Sequence, residues 1–236
     1  MEIKLKNITV SYPDKIILQN FTGTFNLKQL NIIIGKNGIG KSTLLDIISG
    51  LKKIDSGNIY GLTNPKEIMY MFQSTPFNTN ITVNQFLDMY KSFGKITTFE
   101  KYNLTNLARL YQENIFPLKD TLLGNLSGGE TKLIFTYASA MVLKSLYLFD
   151  EPLSGVDIEN QKKIVILLNE LGKSVPTIIT SHELEPFKNT QSTLKYISKN
   201  NFMFSGSYEQ LINEYGSNTE QAFLNLSQKM RNTYHA

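Results

Sequence analysis

Residues 35–42 read G-K-N-G-I-G-K-S, a run in which three glycines precede a lysine and a serine. Glycine lets the backbone turn tightly around an anion, so that several N–H groups point inward together. The pattern G-x-x-x-x-G-K-[ST] predicts a nucleoside-triphosphate site in which Lys41 reaches the β- and γ-phosphates and Ser42 ligates Mg²⁺. The expected nucleotide contacts are Asn37, Gly38, Gly40, Lys41, Ser42 and Thr43.

Two acids, Asp150 and Glu151, directly follow the apolar run 146–149. A carboxylate at the C-terminal end of a buried parallel strand lies in the ligand crevice of an α/β sheet. Asp150 is therefore expected to hold Mg²⁺ through water. Glu151 points the other way along the strand, where it can polarise the attacking water as a general base.

The apolar spacing of the chain predicts the elements that must position these groups. Strands are expected over 2–12, 21–27, 30–34, 68–72, 146–149 and 177–180, with a hairpin of 194–198 and 201–204. Helices are expected over 41–51, 82–112 with breaks near Gly94 and Thr97, 128–144, 158–171 ending at Gly172, 207–215 and 219–232.

Strands alternate with helices between residues 30 and 180, which predicts an α/β fold: a P-loop NTPase core with a mixed, largely parallel sheet. An antiparallel β subdomain and an inserted helical subdomain complete the expected architecture. We expect a single domain over 1–236, with the core and β subdomain in 1–72 and 145–206. The helical subdomain would occupy 73–144 and the C-terminal helices 207–236.

Composition excludes several classes of protein and site. The 236 residues include no cysteine and only two histidines, His182 and His235, which excludes disulfides, cysteine zinc sites and a His-rich metal site. A net charge of +4 without a basic block does not indicate a nucleic-acid-binding surface. The apolar runs are too short for a transmembrane helix or a secretory signal, so a cytoplasmic protein is expected.

Residues 126–130, L-S-G-G-E, resemble the signature motif of the ATP-binding cassette (ABC) ATPases. Other residues match further motifs in the family's order: Tyr12 the adenine-stacking aromatic, Gln73 the Q-loop, 154–157 the D-loop and His182 the switch histidine. The chain is thereby identified as resembling the ATP-binding subunit of a bacterial ABC transporter, binding ATP and Mg²⁺. Thr131, Lys132, Leu133 and Ser139 depart from the residues common after the signature, which puts the packing and coupling of that helix in doubt.

The resemblance implies a role for each matched residue within one subunit. Tyr12 would stack on adenine, and Gln73 would contact Mg²⁺ or the lytic water while linking the core to the helical subdomain. His182 would donate a hydrogen bond to the γ-phosphate. Taken alone, the same residues also fit a plain strand tyrosine, a loop glutamine and a structural histidine.

Three further residues are expected to act on the site of a facing subunit. In the family two cassettes dimerise head to tail with ATP between them, as homodimers or heterodimers. Ser127 and Gly129 would then close on the γ-phosphate of the partner, and Asp157 would support the partner's site. Taken alone, Ser127 with Glu130 and Asp157 would each be interpreted as the N-cap of a helix.

The resemblance also implies partners. A transporter would require a separate transmembrane permease subunit, with this chain peripheral on the inner face of the cell membrane and without nucleic acid. The chain length leaves no room for the regulatory domain of some sugar importers, which favours export of peptides, lipids or drugs. The alternative is a stand-alone ABC ATPase of a non-transport complex, such as iron–sulfur cluster assembly or cell division.

Overall fold

The computed structural model describes residues 2–74, 76–94 and 96–234, and for 230–234 it describes the backbone alone. His235 lies outside the described residues. None of the helices in this part of the chain is long and apolar enough to cross a membrane.

Nine strands form two sheets within the described ranges. A three-stranded antiparallel sheet has the order β2-β1-β4, and a six-stranded sheet has the order β5-β6-β7-β3-β8-β9. The larger sheet is parallel except for the antiparallel pair β8 and β9. The strands are β1 (Glu2–Tyr12), β2 (Lys15–Asn26), β3 (Leu30–Ile34), β4 (Ser56–Tyr60), β5 (Ile68–Met71), β6 (Leu146–Phe149), β7 (Thr177–Ser181), β8 (Ser192–Ile197) and β9 (Phe202–Gly206).

The connections carry the helices. The α-helices are α1 (Lys41–Ser49), α2 (Val83–Lys91), α3 (Thr98–Tyr102), α4 (Thr105–Leu110), α5 (Gly128–Met141), α6 (Ile158–Ser174), α7 (Tyr208–Tyr215) and α8 (Thr219–Tyr234). Short 3₁₀ turns lie at Pro65–Glu67, Phe116–Leu118, Leu123–Asn125 and Glu185–Phe187, and a π turn lies at Tyr111–Ile115.

The central strands separate two hydrophobic cores. Every residue of β3, β6 and β7 is buried, as expected for parallel strands covered on both faces. Their side chains alternate, so that Ile33, Leu148 and Ile178 pack with α1 and the small sheet. Ile32, Phe149 and Ile179 pack in the other core, which includes α5 and α6. The sheet thereby holds α1 against one face and α5 against the other.

The α/β fold with a largely parallel sheet, an antiparallel sheet and helices between β5 and β6 is confirmed, with local corrections. The strand β2 begins at Lys15, six residues before its expected start, and α1 and α5 end two and three residues early, at Ser49 and Met141. The strand β4 was not predicted, because its sequence S-G-N-I-Y is polar and mostly exposed. The segment 82–112 forms three helices rather than one broken stretch. The expected end of α6 at Gly172 is wrong, since the helix continues to Ser174.

Gly172 has a packing role rather than a terminating one. A Cβ atom at this position would lie 2.8 Å from Cβ of Leu30, so the glycine lets α6 approach the start of β3 closely. A single glycine inside a helix lowers its stability without ending it.

Lys195 of β8 is a buried cation at the junction of the two sheets. Its side-chain Nζ donates a hydrogen bond to Oγ of Ser205 and lies 5.6 and 5.1 Å from the ring centres of Phe25 and Phe202. Burial lowers the pKa of Lys195 to about 8. Above this pH the folded protein has lost the proton while the unfolded chain keeps it, so stability rises with pH.

We therefore expect the free energy of unfolding of the wild type to gain about 2 kcal/mol from pH 8 to pH 10 relative to Lys195→Met. Urea denaturation at each pH measures this difference. Lys101→Met removes an exposed lysine and is the matched control. Parallel pH profiles for wild type and Lys195→Met would contradict the assignment.

Candidate active site

The loop between β3 and α1 wraps a cleft of about 550 Å³, a size typical of small-molecule sites. Gly38 and Gly40 have φ angles of +73° and +116°, conformations that other residues rarely adopt. A Cβ atom on Gly40 would also lie 2.8 Å from Cγ2 of Ile17. The glycines thus give the loop a shape that presents backbone groups to the cleft, as a phosphate cradle requires.

The cleft brings together most of the residues that the sequence predicts for nucleotide binding. Nine of its lining residues were predicted as nucleotide or catalytic contacts, Ser154 was named only as part of the D-loop match, and Ile17 was not predicted. The lining consists of Ile17, Asn37, Gly38, Gly40, Lys41, Ser42, Thr43, Gln73, Glu151, Ser154 and His182.

Lys41 is held at the centre of the cleft by two oxygen acceptors. Its Nζ donates to the carbonyl oxygen of Gly35 at 3.0 Å and lies 3.3 Å from Oε1 of Glu151. The side chains of Lys41 and Glu151 are only 7% and 8% exposed. An anion entering the cleft would therefore compete with Glu151 for this ammonium group.

The second carboxylate oxygen of Glu151 meets His182. Its Oε2 lies 2.7 Å from Nδ1 of His182, whose side chain is 45% exposed. The Nε2 atom of the same ring lies 3.5 Å from Oε1 of Glu183. Glu151 thus lies between a buried cation and a half-exposed imidazole at the carboxyl edge of the sheet.

Asp150 lies beneath the cleft, where three strands meet. Its backbone N–H donates to the carbonyl of Met71 at 2.9 Å, and its Oδ1 accepts a hydrogen bond from Thr180 Oγ1 at 2.5 Å. Burial raises the pKa of nearby Asp46 and the negative charge of Asp150 adds to the effect, although a hydrogen bond from Tyr70 opposes it. Asp46 and Asp150 thus place two acids near each other below the cleft.

These groups fit Mg²⁺, which prefers hard oxygen ligands. Ser42 is exposed at the start of α1 and lines the cleft, and the carboxylate of Asp150 lies at the end of β6 below it. No group of three or more histidines or acids suited to a metal occurs in the described part of the chain. A cation here would accordingly take its remaining ligands from phosphate oxygens and water.

Gln73 lies in the loop after β5 and is tied to α5 by Lys132. The Lys132 Nζ donates to the backbone carbonyl of Gln73 at 2.7 Å. Burial lowers the pKa of Lys132, while the charges of Asp150 and Glu151 oppose that shift. Lys132 thus connects the loop to the helix that the signature motif begins, a contact the sequence did not predict.

Tyr12 ends β1 and does not line the cleft. The residue is 43% exposed, and the Nζ atom of Lys52 lies 4.4 Å from the centre of its ring. A ring in this position is accessible to a flat ligand, while one of its faces holds an ammonium group. Adenine stacking by Tyr12 stays a prediction.

Ser127, Gly129 and Asp157 lie at two helix N-termini that pack against each other, and none of the three lines the cleft. Ser127 caps α5, accepting from the N–H of Glu130 while Glu130 Oε2 accepts from the N–H of Ser127. Asp157 caps α6 and accepts two hydrogen bonds from Asn160, which lower the pKa of Asp157. Within one chain both residues are therefore helix caps.

Comparison with known proteins gives consistent results. A family model described as "ABC transporter" matches residues 18–154. The zinc import ATP-binding protein ZnuC of Buchnera aphidicola subsp. Schizaphis graminum is 34% identical over 187 residues, which cover 77% of this chain and 74% of that protein. The petrobactin import ATP-binding protein YclP of Bacillus subtilis is 31% identical, with 75% and 76% covered. A solved structure titled as the ATP binding subunit of an ABC transporter aligns with a TM-score of 0.76 at 18% identity, covering 96% of this chain and all of that one.

The contact between α5 and α6 makes a prediction about two adjacent glycines. A Cβ atom on Gly129 would overlap Oδ2 of Asp157 and lie 2.7 Å from Nδ2 of Asn160. At Gly128 the nearest atom would be 3.9 Å away. We expect Gly129→Ala to lower the free energy of unfolding by about 1 kcal/mol, because the added methyl group displaces the Asp157 side chain that caps α6. Gly128→Ala should change it by less than about 0.5 kcal/mol.

Urea denaturation of the two variants measures this difference in the isolated chain. Gly128→Ala serves as the matched control, because it adds the same methyl group one residue earlier. Equal losses of stability in the two variants would contradict the close approach of α5 to Asp157.

Proposed function

The chain belongs to the ABC transporter family and is an ATPase that uses ATP with Mg²⁺, and from this we propose that it drives transport through a separate membrane-spanning subunit. The observation that carries the proposal is the convergence of Lys41, Glu151 and His182 in one cleft beside a glycine-rich loop. This set combines an anion-binding cation with a carboxylate able to act on water.

In the proposed mechanism, the loop and Lys41 bind the phosphates of ATP. Lys41 exchanges Glu151 for phosphate oxygens, which releases the carboxylate of Glu151. Asn37, Gly38, Gly40 and Thr43 would contribute the loop's remaining contacts, and Tyr12 would stack on adenine.

Ser42, Asp150 and Gln73 are the proposed holders of Mg²⁺. Their oxygen atoms suit that ion, and Gln73 lines the cleft from a loop that can respond to the helical subdomain. When bound, Mg²⁺ neutralises charge that develops on the phosphates.

Glu151, once released from Lys41, accepts a proton from the attacking water. His182 is proposed to orient Glu151 through the observed 2.7 Å contact and to hydrogen-bond the γ-phosphate. The sequence-based roles of these residues thus fit into one chemical scheme.

Ser127, Gly129 and Asp157 are proposed to act across a dimer of cassettes. The capping box leaves the hydroxyl hydrogen of Ser127 available to donate to a phosphate, because its oxygen is the acceptor in that motif. The N-terminus of α5 adds the positive end of a helix dipole. This arrangement would supply from the partner the positive potential that an arginine finger provides in other nucleoside triphosphatases.

We further propose that the chain divides into a core of 1–72 and 145–206, a helical part of 73–144 and C-terminal helices from 207 onward. Between β5 and β6 the described residues form helices and turns, with no strand, which supports the first boundary. The membrane subunit would hold the cassette at the inner face of the cell membrane.

The direction of transport is proposed to be import. The preference for export, drawn from chain length, is not supported. ZnuC and YclP carry names that describe zinc import and petrobactin import. The matches to both proteins cover about three quarters of this chain, so the transport direction in their names is a better guide than chain length.

The role of Glu151 makes a direct prediction. Glu151→Gln keeps the shape of the side chain but removes the base, so ATP hydrolysis should fall by at least about 100-fold. ATP should still bind, and with ATP and Mg²⁺ the variant should accumulate as a dimer. Steady-state ATPase assays and light scattering after size exclusion measure the two effects.

Glu183→Gln is the matched control, because Glu183 also reaches His182 but lies outside the cleft lining. We expect this variant to hydrolyse ATP at close to the wild-type rate. Wild-type turnover by Glu151→Gln would exclude Glu151 as the base.

The transport proposal predicts a membrane partner. Tagged Glu151→Gln protein, incubated with ATP in detergent-solubilised native membranes, should capture a polytopic membrane protein identifiable by mass spectrometry.

In vesicles with the cassette outside, ATP should drive Zn²⁺ or petrobactin out of the lumen if the system imports one of them. Accumulation in the lumen would contradict import, and capture of soluble partners alone would favour a stand-alone ATPase.

A further inference from the structure

Thr180 is a fully buried polar residue on β7 that lies directly below the cleft. Phe149 of β6 pairs with Ile179 of β7 in parallel register, so the next residues, Asp150 and Thr180, are neighbours across the sheet. Thr180 does not line the cleft, and no role in the scheme above depends on it. Its hydroxyl nevertheless contacts both acids of the site.

The two hydrogen bonds of this hydroxyl have defined directions. The backbone N–H of Glu151 can only donate, and it donates to Oγ1 of Thr180 at 2.8 Å. Thr180 Oγ1 in turn donates its single hydrogen to Oδ1 of Asp150 at 2.5 Å. One hydroxyl group therefore links the carboxylate of one acid to the backbone of the next.

The bond to Glu151 supports an unusual backbone conformation. Glu151 has a φ angle of +47°, in the left-handed region that non-glycine residues rarely adopt. Such a conformation persists only when surrounding contacts hold it. This turn directs the side chain of Glu151 toward Lys41 and His182 rather than along the strand.

The bond to Asp150 fixes the orientation of a carboxylate. A hydroxyl that donates to one oxygen of a metal-binding carboxylate orients the group and leaves the other oxygen for the ion or for a water bound to it. Such outer-shell partners commonly affect metal affinity or activity by about 10- to 100-fold.

We propose that Thr180 is a positioning residue that sets Asp150 for Mg²⁺ and Glu151 for the attacking water through one hydroxyl group. The inference rests on the proposed roles of those two acids. It explains why β7, otherwise apolar at its centre, carries a threonine at the level of Asp150.

The experiment compares Thr180→Val with Thr180→Ser and Thr177→Val. Valine keeps the branched shape and removes the hydroxyl, whereas serine keeps the hydroxyl. Thr177 is equally buried on the same strand, but its hydroxyl donates to the carbonyl of Val175, away from both acids. Thr180→Ala is a second variant without the hydroxyl, for use if valine does not fold.

Three quantities are measured for each variant. They are the affinity for Mn²⁺ by electron paramagnetic resonance with a non-hydrolysable ATP analogue, the affinity for a fluorescent ATP analogue without metal, and the rate of single-turnover hydrolysis. For Thr180→Val we expect Mn²⁺ affinity and hydrolysis to fall by about 10- to 100-fold. Metal-free nucleotide affinity should stay within about twofold, because the phosphate loop is unchanged.

Thr180→Ser should restore both Mn²⁺ affinity and hydrolysis, and Thr177→Val should match the wild type. Wild-type Mn²⁺ affinity in Thr180→Val, failure of serine to restore it, or an equal loss in Thr177→Val would each overturn the inference. Absence of hydrolysis in the wild type would instead refute the proposed function, while the Mn²⁺ comparison would still test Thr180.

Discussion

The parallel pairing of β6 between β5 and β7 is the constraint on which the site depends. Met71, Phe149 and Ile179 lie side by side at the carboxyl edge of the sheet. The residues that follow them must therefore emerge close together, whatever their separation in sequence. The loop of Gln73, the acids after β6 and the segment leading to His182 meet for this reason, and β3 on the far side of β7 adds the phosphate loop.

Much of this arrangement could be predicted because its signals are local. The glycine-rich loop lies between an apolar strand and a helix, and the two acids directly follow an apolar run. In both cases the neighbouring residues show in the sequence where the motif lies in the fold. The contacts of Lys132 and Thr180 could not be predicted in the same way. These contacts depend on which strands are neighbours and on where α5 lies. In the sequence alone, a lysine on a helix is most simply a surface residue and a threonine in a strand is an ordinary strand-forming residue. The strand β4 was missed because pairing with β1, rather than its own polar sequence, makes it a strand.

The two helix N-termini show how a structural role and a functional role can coexist. Ser127 and Asp157 cap α5 and α6, and Gly129 permits these helix ends to touch. A cap holds a short polar side chain at a fixed angle beside backbone N–H groups. That geometry is also what an anion on a facing molecule would require. The residues that stabilise the ends of α5 and α6 are therefore the same ones that the proposed dimer would use for binding.

The ion pair of Lys41 and Glu151 has a consequence for the idle state of the enzyme. Both groups are buried, so withdrawal of the carboxylate would leave the ammonium group of Lys41 without compensation unless another anion took its place. Nucleotide entry thus becomes an exchange of one negatively charged group for another around a single ammonium group. Until that exchange happens, the carboxylate that could activate water is occupied by the cation. Binding of ATP to Lys41 must therefore come before Glu151 becomes free to activate water.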